Sequence, residues 1–350
     1  MKIDDIISKI EPLDADAMKH ARERQDSLTK PQGSMGFLEE LSIKIAGIKG
    51  DQLPKINEKV IITMASDHGV TDEGVSAYPK EVTPQMVLNF LNGGAGINVI
   101  ARHVGARVVV VDMGVAGDIP TNPDLISKKI APGTKNMTKG PAMTKEEAEQ
   151  SIMTGFEIAQ SEIQKGADII GTGDMGIGNT TPSSAIAAVV TGAEIRDLTG
   201  RGTGIADDVL ENKIKIIKKA IEVNKPDPDD ALDILAKVGG FEIGGLAGVI
   251  LACAKNRVPV VIDGFISGAA ALIATELAPG ALDYIIASHK SVESGHKIML
   301  AHMGLRPILD LDLRLGEGTG AALGISLAEA SVKILCEMAT FEEASVSGKK

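Results

Sequence analysis

The 350-residue chain is 44% apolar and carries 36 Lys and Arg against 47 Asp and Glu, a formal charge of −11. That supplies a large core and no basic block of the kind that binds a phosphate backbone. With no Trp, two Tyr and six Phe there is no stacking platform for bases, so nucleic acid is excluded as an expected partner.

The opening residues, Met1-Lys2-Ile3-Asp4-Asp5, turn acidic at once and form no signal-peptide core. A helical pattern covers residues 28–48. The first strand-like run is 60–66, then come a helical pattern at 83–104, a strand at 107–112, a helix at 144–165 and a strand at 168–173. Helical patterns follow at 183–191, 207–223, 229–237 and 244–255, before a strand at 258–263. A helix at 267–277, a strand at 282–288, a helix at 289–303 and a strand at 307–311 lead to a long apolar helix from Gly320 to about Phe341. The tail, 342–350, is polar and expected to fray. Strands alternating with helices imply an α/β fold with a mainly parallel sheet covered on both faces. Residues 1–50 and 320–350 are expected to form a small helical subdomain beside a large α/β domain, 51–319. The two cysteines, Cys253 and Cys336, fall in apolar helical stretches and read as buried thiols. No segment reaches the roughly 18 uncharged apolar residues that span a bilayer. The expectation is a cytoplasmic protein with no membrane partner.

The predicted strands end alike, at Asp67-His68, Asp112-Met113-Gly114, Gly173-Asp174-Met175-Gly176, Asp263-Gly264, Ser288-His289 and Asp310 through Glu317. Polar residues beside glycine at one sheet edge mark a ligand cleft, because open α/β sheets bind ligands at the carboxyl ends of their strands. In Arg314-Leu315-Gly316-Glu317-Gly318-Thr319-Gly320 a lone acid sits among three glycines at a strand-to-helix turn. It reads either as a functional carboxylate or as a solvated acid favoured by the helix dipole.

Gly171-Thr172-Gly173-Asp174-Met175-Gly176 matches G-x-G-x-x-G after a strand, the context of a dinucleotide loop. Asp174 and Met175 stand where pyrophosphate needs open backbone, so a loop for a single phosphate fits better. Gly200-Arg201-Gly202-Thr203-Gly204 leads into the helix carrying Lys213, and is either an anion nest with a cation or a flexible loop with a solvated lysine. Asp207-Asp208 lacks the preceding strand of a diphosphate-binding acid pair and reads as helix N-terminal acids. Asp67-His68 reads as a strand-end structural pair, and the six His show no metal-ligand spacing. The sequons at Asn136 and Asn179 carry no weight in a cytoplasmic protein.

Together these loops resemble one family. They are Lys30-Pro31-Gln32-Gly33-Ser34-Met35-Gly36, Asp67-His68-Gly69-Val70, Gly173-Asp174-Met175-Gly176-Ile177-Gly178-Asn179-Thr180-Thr181, Gly200 through Gly204, Asp263-Gly264-Phe265, Ser288-His289 and Leu315-Gly316-Glu317-Gly318-Thr319-Gly320. The resemblance, covering about 28–348, is to the nicotinate-nucleotide:dimethylbenzimidazole phosphoribosyltransferases, which make the lower-ligand nucleotide of cobalamin. It implies a Rossmann-like six-stranded parallel sheet flanked by helices with a small helical subdomain, a homodimer, small-molecule substrates, and no cofactor or metal. By the same match Glu317 is the general base, and Tyr78, Gln85, Met86, Met175 and Leu315 line the benzimidazole pocket. Residues 176–180, including Gly176, Asn179 and Thr180, with Gly202, Gly204, Lys213, Gly264, Ser291 and Arg314, hold nicotinate mononucleotide. Asp174, at a position where the family often has Glu, and Asp263 hold ribose hydroxyls or stabilise positive charge. The alternatives are a non-catalytic nucleotide-binding protein of the same fold and an NAD-dependent oxidoreductase.

Overall fold

The computed structural model describes residues 2–202 and 204–347. Fourteen α-helices and six strands are found among them: α1 (Ile3–Ile7), α2 (Ala15–Ser27), α3 (Phe37–Lys49), β1 (Lys59–Ser66), α4 (Val82–Leu91), α5 (Gly96–Val104), β2 (Ala106–Gly114), β3 (Leu125–Ser127), α6 (Lys145–Gln164) and β4 (Ile169–Met175). After these come α7 (Thr180–Thr191), α8 (Ile195–Leu198), α9 (Asp207–Asn224), α10 (Ala231–Val238), α11 (Phe241–Lys255), β5 (Val260–Ile262), α12 (Phe265–Leu277), β6 (Ile285–Ala287), α13 (Ser294–His302) and α14 (Thr319–Glu337). The strands form one sheet in the order β3-β2-β1-β4-β5-β6, and every pairing is parallel. The expected Rossmann-like fold is present. The chain winds outward from β1 to β3 and returns to start β4 beside β1, so the switch point, where such sheets bind ligands, lies between β1 and β4.

The strands are apolar because both faces are covered. Ile62, Met64, Ile170, Val260 and Ile262 point into a core closed by α6, α11 and α12. Ile61, Ala65, Ile169, Val261 and Ile286 point the other way, toward α4, α5 and α14. Helix α14 is long and apolar enough to cross a membrane by length and composition. Its Ala321, Ala322, Ile325 and Ala328 are instead buried in that second core, and its Glu329 pairs with Lys59 at 2.5 Å. Farther along, Leu335 packs with Ala21, Ile43 and Ala46 of α2 and α3. Cys253 is buried and Cys336 half-buried, its thiol 3.3 Å from the Pro54 carbonyl.

Four sequence expectations need correction. Residues 307–311 form no strand: Leu309 makes a single parallel bridge to His289, and Leu311 is 52% exposed. The sixth strand is β3, whose three residues carry too little pattern to stand out. The helix expected over 83–104 is two, α4 and α5, split at Asn92-Gly93-Gly94, where Gly93 takes φ +74°. The helix expected over 28–48 begins only at Phe37, because Pro31 and left-handed Gly33 and Gly36 hold 30–36 in turns. Finally, α13 starts at Ser294 rather than 289, which leaves 289–293 free to line the site.

Close approach of α6 and α11 depends on glycine. A methyl added at Gly248 would lie 1.9 Å from the Ile152 carbonyl oxygen. Gly248→Ala is therefore expected to lower stability by about 1–3 kcal/mol through overpacking, read as a fall in the urea midpoint at unchanged slope.

Candidate active site

A cavity of about 470 Å³ opens at the switch point. The segments after β4, β5 and β6 form its floor, the loop before α14 one wall, and residues 75–86 another. Glu317 lies at its inner end and is 5% exposed. Gly316, Glu317 and Gly318 take φ +79°, +65° and +98°. The left-handed region costs a side chain roughly 1–2 kcal/mol, so the surroundings must impose it on Glu317.

They do so from four sides. Asp263, after β5, accepts the Gly318 N–H on Oδ2 at 3.1 Å and those of Gly320 and Ala321 on Oδ1 at 2.7 and 3.0 Å. Thr63 Oγ1 on β1 donates to the Glu317 carbonyl at 3.0 Å. Gly173 on β4 leaves room for that carbonyl, since a methyl there would lie 2.2 Å from it. The Ile97 N–H at the start of α5 donates to Glu317 Oε2 at 3.1 Å. The break between α4 and α5 thus serves the site. Burial pushes the Glu317 carboxyl above its ordinary value, the Ile97 N–H opposes this and the Asp263 charge reinforces it.

Asp174 follows in β4. Its Oδ2 accepts from Asn179 Nδ2 at 2.9 Å and its Oδ1 is buried without a partner among the described residues. Burial, then the charge of Asp263, raise it well above the ordinary carboxylate value, against the Asn179 hydrogen bond and with Glu242 and Glu317 adding to the rise. The glycines of the G-x-G-x-x-G run have other work. Gly171 and Gly173 lie inside β4, where added methyls would meet Ile61 and the Glu317 carbonyl, so no open pyrophosphate loop exists.

A second lobe adjoins this cavity. The 200–204 loop borders a second cavity of about 470 Å³ that shares Gly202, Glu293 and Arg314 with the first; Thr203 lies outside the described residues. Lys213 is fully buried, its ammonium donating to Thr180 Oγ1 at 2.7 Å and the Gly200 carbonyl at 3.3 Å. Burial lowers its pKa to about 8, against the pull of Glu293.

Of the residues expected from the sequence, Asp174, Glu317, Tyr78, Met86, Met175, Gly176, Asn179, Thr180, Gly202, Gly264, Ser291, Arg314 and Leu315 line the first cavity. Gly204 borders the second. Gln85 is exposed on α4 and lines neither cavity. Lys213 and Asp263 lie buried behind the walls, the one against Thr180, the other against the 318–321 amides. Sequence reasoning misses three participants: Glu293, His296 and Glu242. Glu293 caps α13 and His296 lies in its first turn, so in the sequence both resemble an ordinary helix start. His296 Nδ1 accepts the Ser291 N–H at 3.0 Å, and burial, then His289, lower its pKa to about 3. Glu242 opens an apolar helix and meets buried His68 at 2.6 Å, giving Asp67-His68 its structural role. Among the described residues no group of three or more His, Cys, Asp or Glu is arranged to hold a metal.

The raised Asp174 carboxyl predicts a sign. The native state keeps its proton to higher pH than the unfolded chain, so this carboxyl's own contribution to stability falls as pH rises from about 4. Asp174→Asn removes that fall. Its Tm should exceed that of the wild type by a margin that widens between pH 4 and 8, at about 2–4 °C per kcal/mol, in calorimetric scans across that range.

Comparison with known proteins agrees with this geometry. A family described as phosphoribosyltransferase matches residues 10–346. The nicotinate-nucleotide–dimethylbenzimidazole phosphoribosyltransferase of Roseiflexus sp. (strain RS-1) is 58% identical over 347 residues, 99% of this chain and 98% of that one. Its namesake in Chloroflexus aggregans is 59% identical over 344 residues, 98% of each. The crystal structure of CobT from Thermus thermophilus superposes with a TM-score of 0.92 at 45% identity, covering 95% of this chain and all of that one. Sequence and fold thus converge: the chain belongs to the nicotinate-nucleotide–dimethylbenzimidazole phosphoribosyltransferase family.

Proposed function

We propose that this chain transfers the 5-phosphoribosyl group of nicotinate mononucleotide to 5,6-dimethylbenzimidazole, giving α-ribazole 5′-phosphate and nicotinate for the nucleotide loop of cobalamin. The observation that carries the reading is buried Glu317, held in a strained backbone at the inner end of a cavity that adjoins a glycine-lined lobe backed by Lys213. The relatives named for this reaction match nearly the whole chain.

The chemistry explains the residue types. Nicotinate in the nucleotide is a pyridinium, so when its bond to ribose C1′ breaks it takes the bonding pair and leaves as a neutral ring nitrogen, without protonation. The bare benzimidazole nitrogen attacks C1′ from the opposite face, which turns a β-nucleotide into an α-nucleotide. The ring is then a cation whose other nitrogen carries an acidic N–H, and Glu317 takes that proton. The charges of Asp263 and Glu317 act on Asp174, and the negative charge of this carboxyl cluster stabilises the positive charge developing at C1′. Asp263 acts at one remove, through the loop it pins.

In this reading Met86, Met175, Leu315 and Tyr78 receive the benzimidazole, and Gln85 is the member of the expected set that lines neither cavity. The 176–180 and 200–204 loops, Lys213, Gly264, Ser291 and Arg314 hold the nucleotide. Tyr78 and Leu315 are 55% and 59% exposed, so the base pocket is open and few contacts discriminate among acceptors, each worth about 1–3 kcal/mol. The same reading has the protein acting on small molecules in the cytoplasm as a homodimer, without nucleic acid. It also takes 1–50 and 320–350 as a small helical subdomain beside 51–319; Leu335 packs against Ile43 and Ala46, while the first half of α14 packs on the sheet. The buried glycines of β4 disfavour the oxidoreductase alternative.

The test is release of nicotinate from nicotinate mononucleotide, with and without 5,6-dimethylbenzimidazole, in EDTA. Release that needs the base and ignores the chelator is expected; none with any azole or phenol would refute the reading. Glu317→Gln should retain base binding and lose about 10²–10⁴ in kcat. Because the base works ionised, wild-type kcat should rise with pH through a value above the ordinary 4.5 of glutamate, a limb the variant lacks.

A further inference from the structure

Glu293 places a carboxylate in a lobe suited to receive an anion. It precedes α13, is 8% exposed, and forms wall common to both cavities. Its Oε1 accepts the Gly202 N–H at 2.9 Å, while its Oε2 is buried without a hydrogen-bond partner among the described residues. Gly200 makes room for it, since a methyl there would lie 1.8 Å from Oε2. Gly202 and Gly204 take φ +51° and +93°, and turns through the left-handed region gather amide hydrogens into concavities that favour anions. Behind the loop, the Lys213 ammonium is bonded to a hydroxyl and a carbonyl rather than to a carboxylate. The amide, the cation and the glycine turn that would serve a phosphate already have a carboxylate among them.

We propose that Glu293 is a resident anion: it keeps the 200–204 loop in its receptive shape and gives up the Gly202 N–H to the phosphate of the incoming nucleotide, setting how tightly a phosphorylated donor is held. The inference rests on the reading that this loop takes the donor phosphate. The Gly202 N–H serves one strong acceptor at a time. A phosphate brings up to two negative charges and three acceptor oxygens near Lys213, whereas Glu293 brings one charge and leaves an oxygen unsatisfied, a penalty for a buried polar atom. The carboxylate therefore yields, yet its charge repels the newcomer from close range. Phosphate affinity is held below what the loop and Lys213 alone would give, a setting that favours release of a phosphorylated product.

Glu293→Gln keeps an acceptor for the Gly202 N–H and removes the charge. Calorimetric titration with inorganic phosphate should show the variant binding about ten-fold more tightly than wild type, equivalent to ~1.4 kcal/mol. The KM for nicotinate mononucleotide should fall in parallel. A merely structural glutamate predicts the opposite sign, since loosening the loop weakens both. Unchanged or weaker phosphate binding by a variant that melts cooperatively would overturn the proposal. A wild-type crystal soaked in phosphate gives a reading that needs no variant. The Gly202 amide should turn to the phosphate and the Glu293 contact open, whereas phosphate bound there with the contact intact would overturn the exchange. Base-dependent nicotinate release by wild type, assayed alongside, separates the two questions. Its absence refutes the donor assignment, while the titration still reads the exchange.

Discussion

The site depends on one carboxylate holding three amides. Asp263 is 1% exposed and takes the N–H groups of Gly318, Gly320 and Ala321 on its two oxygens. These belong to the first turn of α14, where unpaired amides and the helix dipole both favour a negative charge. The same bonds fix the residue just before them, Glu317, in a backbone region it would not choose. Asp263 is itself tied down: its N–H donates to Thr172 Oγ1 at 3.3 Å and its carbonyl accepts from Ser288 Oγ at 3.1 Å, so β4, β5 and β6 all bear on the loop. Removing this acceptor leaves up to three buried donors unmatched, each at about 1–3 kcal/mol.

Charge is segregated across the floor of the cavity. Asp174, Glu242, Asp263 and Glu317 are all buried and meet no Lys or Arg side chain among the described residues; His68 lies beside Glu242 and His289 lies 3.7 Å from Asp263. Lys213 lies buried behind the neighbouring lobe, its ammonium on the Gly200 carbonyl. A nucleotide with a cationic ring at one end and a phosphate at the other matches that polarity. The raised carboxyls of Asp174 and Glu317 show that the arrangement is held against the electrostatic preference of its members, as expected where stability is traded for function.

Much of this is legible in the chain. Long strands with pure aliphatic runs, such as β1 and β2, declare themselves, and the recurrence of acid beside glycine at strand ends locates the cleft. What escapes is set by tertiary contact. The three residues of β3 have no period to read, and 307–311 carry the apolar look of a strand while only skirting the sheet next to His289. The break between α4 and α5 is written in Asn92-Gly93-Gly94, yet its purpose, an amide aimed at Glu317, is visible only across 220 residues of sequence. Asp263 reads from the sequence as a group for the substrate, but both its oxygens are engaged by backbone. Glu293 and Glu242 carry no signal, because an acid near the start of a helix is the commonest place to find one.

The mechanism stands on Asp263 acting through Glu317, and a double-mutant cycle on base-dependent nicotinate release tests that most directly. Asp263→Asn and Glu317→Gln are assayed singly and together for kcat. If Asp263 serves to place Glu317, the double variant is as slow as Glu317→Gln alone, within about three-fold, as expected of residues that work as a unit. If the two losses multiply, Asp263 contributes to the transition state on its own, and the pinned-loop account is wrong.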